Sequence, residues 1–241
     1  METAKLSFPG ESRRVVGGTI IPASTTEHGE TVWFSLSTIS HEQPPQTDGP
    51  CDSALILHED AWRQTEFFPE CNVNYVHKMV GFLHDQELRI GDQAGFRELY
   101  VRDELPTPIS SLALSLSALS NALKCASPRR GVALSSAYGT PQLVAGGFAL
   151  DLPGCGVIYG RSVEDQIVSL SAVFNHGQHN PTQDAVSQLA AYAKRHNLLV
   201  AAWLLLVVLR PATTATIWEW TTLYPEPKQA KPANRPWWKF W

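Results

Sequence analysis

The chain has no apolar stretch long enough to cross a bilayer as a helix. Its longest apolar run, residues 198–209 (LLVAAWLLLVVL), is twelve residues, where a spanning helix needs about 20. Cysteine is scarce: Cys51, Cys71, Cys125 and Cys155 are the four present, and no two form a CxxC pair. That spacing excludes the usual structural zinc ligand sets. A chain of 241 residues does not need disulfide staples, so reduced thiols are expected. GxSxG, HExxH, GxxxxGK[ST] and GxGxxG are all missing, which removes the motif-based cases for a serine hydrolase elbow, a zincin and a phosphate cradle. Gly154-Cys155-Gly156 begins like a dinucleotide fingerprint, but Tyr159 stands where the third glycine belongs. No dense basic run precedes the C-terminal tail, and the formal charge is −4 from 19 basic and 23 acidic residues. Nucleic acid is therefore not the expected partner, because its binding depends on neutralising phosphates. The opening METAKLSFPGESRR has no apolar core of a secretory signal, so a cytoplasmic location is expected.

What is present is the composition of a folded domain, 44% apolar and 17% charged. A chain this long can bury about 70% of the surface its unfolded form exposes. Run 198–209 has no polar alternation and so no water-facing side. It reads as a strand, or a strand and its continuation, covered by protein on both faces.

Along the chain, residues 15–21 and 31–39 read as strands rich in β-branched and aromatic residues. Residues 41–52, with three prolines and a glycine, read as a loop. Short strands are expected at 53–57 and 61–68. After Pro69, Val73, Val76, Val80 and Leu83 recur at spacings of three and four, the stripe of an amphipathic helix. Residues 96–102 read as a strand. A second helix is expected from an N-cap at Ser110 to about Lys124, with Leu112, Leu116, Leu119 and Leu123 as its stripe. Segments 131–137, 142–152, 156–159 and 166–174 form a glycine-punctuated antiparallel meander. A third helix, capped by Asn180 or Thr182, buries Ala185, Val186, Leu189, Ala190 and Ala193. Residues 217–224 read as a last strand. The expected architecture is α+β: one mixed domain over 1–224, largely antiparallel, with about three main helices. A proline-rich tail over 225–241 ends in aromatics.

Four places gather chemistry-bearing side chains. Segment 58–66 (HEDAWRQTE) carries Asp60, Trp62, Arg63 and Glu66. On a strand over 62–68, Arg63 and Thr65 share one face and Gln64 and Glu66 the other. An Asp60/Glu66 carboxylate pair suits acid–base work or contact with a basic partner; solvated charges at a strand end are the plainer reading. His176 and His179 have a chelating spacing, but no third ligand stands at a recognised distance. His77 and His84 fall seven residues apart beside the apolar stripe, where a satisfied, half-buried His77 is expected rather than a ligand. Cys71 opens the first helix, where a thiolate is stabilised, but no histidine is assigned beside it, so a buried or half-buried thiol is expected. The tail places Trp237, Trp238, Phe240 and Trp241 in its last five residues. They call for cover within the chain, on a second copy, on a partner or at a membrane surface.

The pieces WRQTEFF at 62–68, GFRELYVR at 95–102, GGFALDLPGCGVIYG at 146–160 and the helix followed by the apolar run at 182–209 resemble, in their order, bacterial immunity proteins. These are cytoplasmic antidotes to secreted toxins such as type VI effectors. The resemblance implies a non-catalytic domain that binds one toxin through acidic or aromatic surface residues. On this reading the chain is a non-enzymatic protein-binding module with no catalytic residue, cofactor or metal. Asp60, Trp62, Arg63, Glu66, Trp237, Trp238 and Trp241 are its candidate partner contacts, and self-association through the tail is a further use of the aromatics. The alternative is a small-molecule hydrolase whose histidines and carboxylates, dispersed along the sequence, are assembled by folding.

Overall fold

A computed structural model describes residues 12–25, 31–32, 34–87, 96–124, 130–136, 139–154, 156–174 and 183–210. In chain order the strands are β1 Arg13–Val15, β2 Gly18–Pro22, β3 Ser24–Thr25, β4 Thr31–Val32, β5 Thr38–Ser40, β6 Gln46–Thr47, β7 Leu55–His58 and β8 Thr65–Pro69. Helix α1 Val73–Glu87 follows, then β9 Glu98–Arg102, α2 Leu116–Ala122, β10 Val132–Ser135, β11 Gln142–Val144, β12 Gly147–Leu152, β13 Gly156–Val163 and β14 Gln166–Phe174. Helix α3 Gln183–Arg195 and strands β15 Leu198–Ala202 and β16 Val207–Leu209 complete it. The α+β class expected from the sequence is what the chain adopts.

The centre is a six-stranded sheet in the order β12-β13-β14-β8-β15-β16, antiparallel at every pairing. Alternation along β15 explains why the apolar run has no polar side. Leu198, Val200 and Ala202 pack with α2 and α3 residues such as Leu119 and Leu189. Leu199, Ala201 and Trp203 pack with Val76, Met79 and Leu83 of α1 on the other face. The run does not continue straight. Leu206 takes a positive φ of 54°, and the chain folds back as β16, whose residues are only half-buried.

Two four-stranded sheets flank this centre, ordered β1-β2-β9-β5 and β6-β11-β10-β7. Each contains one parallel pairing, β5 with β9 and β7 with β10. A third core lies beneath β10 and β13, around Trp62, Val132, Leu134 and Tyr159.

Several sequence expectations shift for local reasons. Segment 15–21 is two strands, because Gly17 at φ 69° turns the chain between β1 and β2. Segment 31–39 is broken rather than continuous, with a bridge at Phe34 and β5 beginning at Thr38. Segment 61–68 starts as a 3-10 turn over Glu59–Ala61, and the strand begins only at Thr65. The second helix is capped by Ser115, whose hydroxyl accepts from the Ala118 N–H at 3.1 Å. Ser110 lies in a separate 3-10 turn, Ile109–Leu112. The left-handed Ala113 divides the two. The expected strand 217–224, the Asn180 and Thr182 caps and the tail 225–241 lie outside the described residues.

Candidate functional site

The segment that carries Asp60, Trp62, Arg63 and Glu66 turns inward at Arg63. His58 caps the 3-10 turn, its ring nitrogen accepting from the Asp60 N–H at 3.3 Å. Arg63 then takes φ 60°, a left-handed conformation that costs a side-chain-bearing residue about 1–2 kcal/mol. Its N–H donates to the Tyr159 hydroxyl at 3.1 Å, and its side chain is held at both ends of the fork. The turn, not strand alternation, sets which groups meet. Arg63 and Glu66, expected on opposite faces, form an ion pair.

Around that pair the fold gathers ionised groups that the sequence leaves dispersed. Glu42, on the loop after β5, accepts from Arg63 Nη1 at 2.6 Å, Trp62 Nε1 at 3.2 Å and Arg161 Nη1 of β13 at 3.0 Å. Glu66 accepts from Arg63 Nη2 and, at 3.2 Å, from Trp203 Nε1. Arg102, at the end of β9, donates to Thr38 Oγ1 at 2.9 Å and to the Arg63 carbonyl at 3.0 Å. Gln64 Nε2 donates to the Thr38 and Asp60 carbonyls at 2.8 and 2.6 Å, tying β5 to the turn. Three guanidiniums thus face two carboxylates, and Arg102 has no carboxylate within ion-pair distance among the described residues.

The electrostatics follow from this geometry. Burial alone would raise the Glu42 carboxyl, but attraction to Arg63, hydrogen bonds from Arg63 and Trp62, and attraction to Arg161 outweigh it. Glu42 lies below its ordinary value. Burial opposes the charge on Arg63 too, yet Glu66 and Glu42 raise it above the usual arginine value. Arg102 goes the other way. Full burial, with Arg63 close by, pulls it down to about 9 against the partial support of Glu66. Burial also pushes the Tyr159 hydroxyl well above the ordinary phenol range.

Two openings flank Glu42. One, of about 220 Å³, is lined by His41, Glu42, Arg63, Glu66 and Glu104 over an apolar floor that includes Phe67 and Leu170. The other, of about 490 Å³, is lined by Glu42, Gln43, Glu59 and Asp60. Chemically the site is a clamp. A carboxylate held by two guanidiniums and an indole accepts hydrogen bonds and stays ionised, which is unlike a general acid or base poised near its working pH.

Of the candidates named from sequence, Trp62 and Glu66 are buried inside the clamp. Arg63 and Glu66 line the smaller opening. Asp60, at the rim of the larger opening, keeps 34% of its side chain exposed. Trp237, Trp238 and Trp241, with His176 and His179, lie outside the described residues. His77 is exposed rather than half-buried, as is His84. Cys71 is exposed rather than buried or half-buried, and it lies in the turn before α1 rather than at its start. Among the described residues no group of three or more His, Cys, Asp or Glu side chains could hold a metal ion, and no helix is long and apolar enough to cross a membrane.

Sequence reasoning missed Glu42, Arg102, Arg161 and Trp203. Two of them left a signal of burial: Arg102 in β9 shares a face with the buried Tyr100 two residues earlier, and Trp203 lies in the apolar run 198–209 read as covered on both faces. Compared with family models, curated proteins and solved structures, the chain matches none.

Proposed function

We propose that this chain is a non-enzymatic protein-binding module, an immunity protein that binds and neutralises a cognate toxin. The observation that carries the reading is the saturation of Glu42 and Glu66, each engaged by a guanidinium and an indole N–H. Carboxylates so occupied stay ionised and do not shuttle protons. The contact face is the polar concavity on either side of Glu42, with Glu59 and Asp60 at one rim and His41 and Glu104 at the other. Its acidic rims suit a partner that presents lysine or arginine, and charge complementarity of this kind speeds encounter.

The test is co-expression with the product of the neighbouring gene, followed by a titration of the purified pair. Submicromolar binding that weakens at least tenfold in a Glu59→Lys/Asp60→Lys variant is expected. Absence of binding at micromolar concentration refutes the reading. The hydrolase alternative rests on His41 and Glu104 facing the same opening. Stoichiometric zinc, iron or manganese in the purified protein would favour it.

A further inference from the structure

We propose that Arg63 and Arg161 form a binding site for a phosphoryl-type oxyanion, and that the Glu42 carboxylate is its resident, displaceable stand-in. The proposal stands whether or not the partner is a toxin.

The first support is charge. Within the clamp the three guanidiniums of Arg63, Arg102 and Arg161 stand against the two carboxylates of Glu42 and Glu66, an excess of one positive charge; Glu104, at the mouth of the same opening, takes part in none of these ion pairs. Remove Glu42 and the excess is two. A phosphate monoester carries about −1.5 to −2 at neutral pH, and in place of Glu42 it brings the cluster close to neutral. A carboxylate in the same position cannot.

The second support is the number of acceptors. Glu42 engages only one terminal nitrogen of each arginine. Its two oxygens are already used by three donors, Arg63 Nη1, Arg161 Nη1 and Trp62 Nε1; a tetrahedral oxyanion in its place brings more acceptors to the same terminal nitrogens, the groups with which arginine recognises phosphate.

The third support is access. Glu42 lines both openings, so its side chain has space to leave the guanidiniums on one side while a ligand enters from the other. The backbone need not follow. His41 N–H is anchored to the Arg102 carbonyl at 3.1 Å, and the Pro45 carbonyl accepts from the Ala145 N–H at 2.8 Å. Glu59 and Asp60 on the far side repel a displaced Glu42, which returns it to the clamp when no ligand is bound.

The experiment uses the full chain and two probes, inorganic phosphate and phenyl phosphate, with acetate and chloride at matched ionic strength as references. In Glu42→Ala, either phosphate at ten times its Kd is expected to raise Tm by about 3 °C or more over chloride. The wild type, which must displace its own carboxylate, binds at least tenfold more weakly. Glu42→Ala/Arg161→Gln loses the effect. Tighter binding of phenyl phosphate assigns the site to an ester, and tighter binding of inorganic phosphate to the free ion. Should Glu42→Ala fold poorly, its refolding yield in phosphate against chloride is the readout, with Glu42→Gln as the second variant. No preference for phosphate over chloride in either Glu42 variant, or equal affinity in wild type and variant, overturns the proposal.

Discussion

Arg102 sits over the indole of Trp203, its Cζ 4.8 Å from the ring centroid. The same indole donates its N–H to Glu66 at 3.2 Å. One aromatic side chain thus supports a buried cation with its face and a buried anion with its edge. It joins β9 of one sheet to β8 of another, and cation–π contact of this kind strengthens where water is excluded. In Trp203→Phe the ring face remains and the donor goes. Glu66 then loses one of its two partners, and an expected loss of about 1–3 kcal/mol should appear as a lower urea midpoint at unchanged slope.

The arginines should differ in what their removal does. Arg63→Met leaves Glu42 and Glu66 without their shared guanidinium, and breaking a buried pair from one side costs about 3–5 kcal/mol. Arg102 has no carboxylate to abandon, and burial already opposes its charge. Arg102→Met leaves the Arg63 carbonyl without its donor but strands no carboxylate, so its cost should be about 1–3 kcal/mol, below that of Arg63→Met. Denaturant unfolding of the two variants checks the contrast, and equal losses would mean that Arg102 carries more of the clamp than its contacts indicate.

Stability in acid should depend on Glu42. Its carboxyl lies below the ordinary 4.5 in the folded chain. A depressed carboxyl contributes stability above the unfolded value, and that contribution is lost as pH falls from 4.5 through the folded value. Glu42→Gln should flatten the pH dependence of the unfolding free energy below 4.5 while leaving it parallel to wild type between pH 6 and 8. At the alkaline end the sign reverses for Tyr159, whose hydroxyl is raised by burial. The unfolded phenol ionises first, so its contribution falls as pH rises above 10, and Tyr159→Phe should remove that part of the decline.

Two glycines make a clean pair. A Cβ on Gly146, at φ 72°, would meet the Ser162 carbonyl at 2.2 Å, where the backbone must shift. Gly146→Ala should destabilise by more than about 1 kcal/mol. Gly81 lies inside α1 with nothing within 4 Å of the added carbon. Gly81→Ala should stabilise by about 0.5–1 kcal/mol, because alanine loses less backbone freedom on entering a helix. Thermal melts of the two single variants decide it.

Much of the framework was readable because it is local. The valine and leucine spacing after Pro69 marked α1, the alanine-rich stripe marked α3, and β14 matches the expected 166–174 at both ends. Turns were harder. Arg63, Ala113 and Leu206 adopt positive φ without being glycine, so no composition signal marked where segment 61–68 bends, where the leucine-rich helix divides, or where the apolar run reverses.

Sequence by itself determined that residues 198–202 would be covered on both faces, that α1 and α3 would be amphipathic helices, and that the class would be α+β. Such patterns repeat over two to four residues and can be read within one element. Tertiary structure alone decided the clamp. Glu42 meets Arg161 across 119 positions and Glu66 meets Trp203 across 137, and no short-range pattern encodes pairings at that range. They arise only when packed sheets carry those side chains out of water, where an ionised group must find its counter-charge.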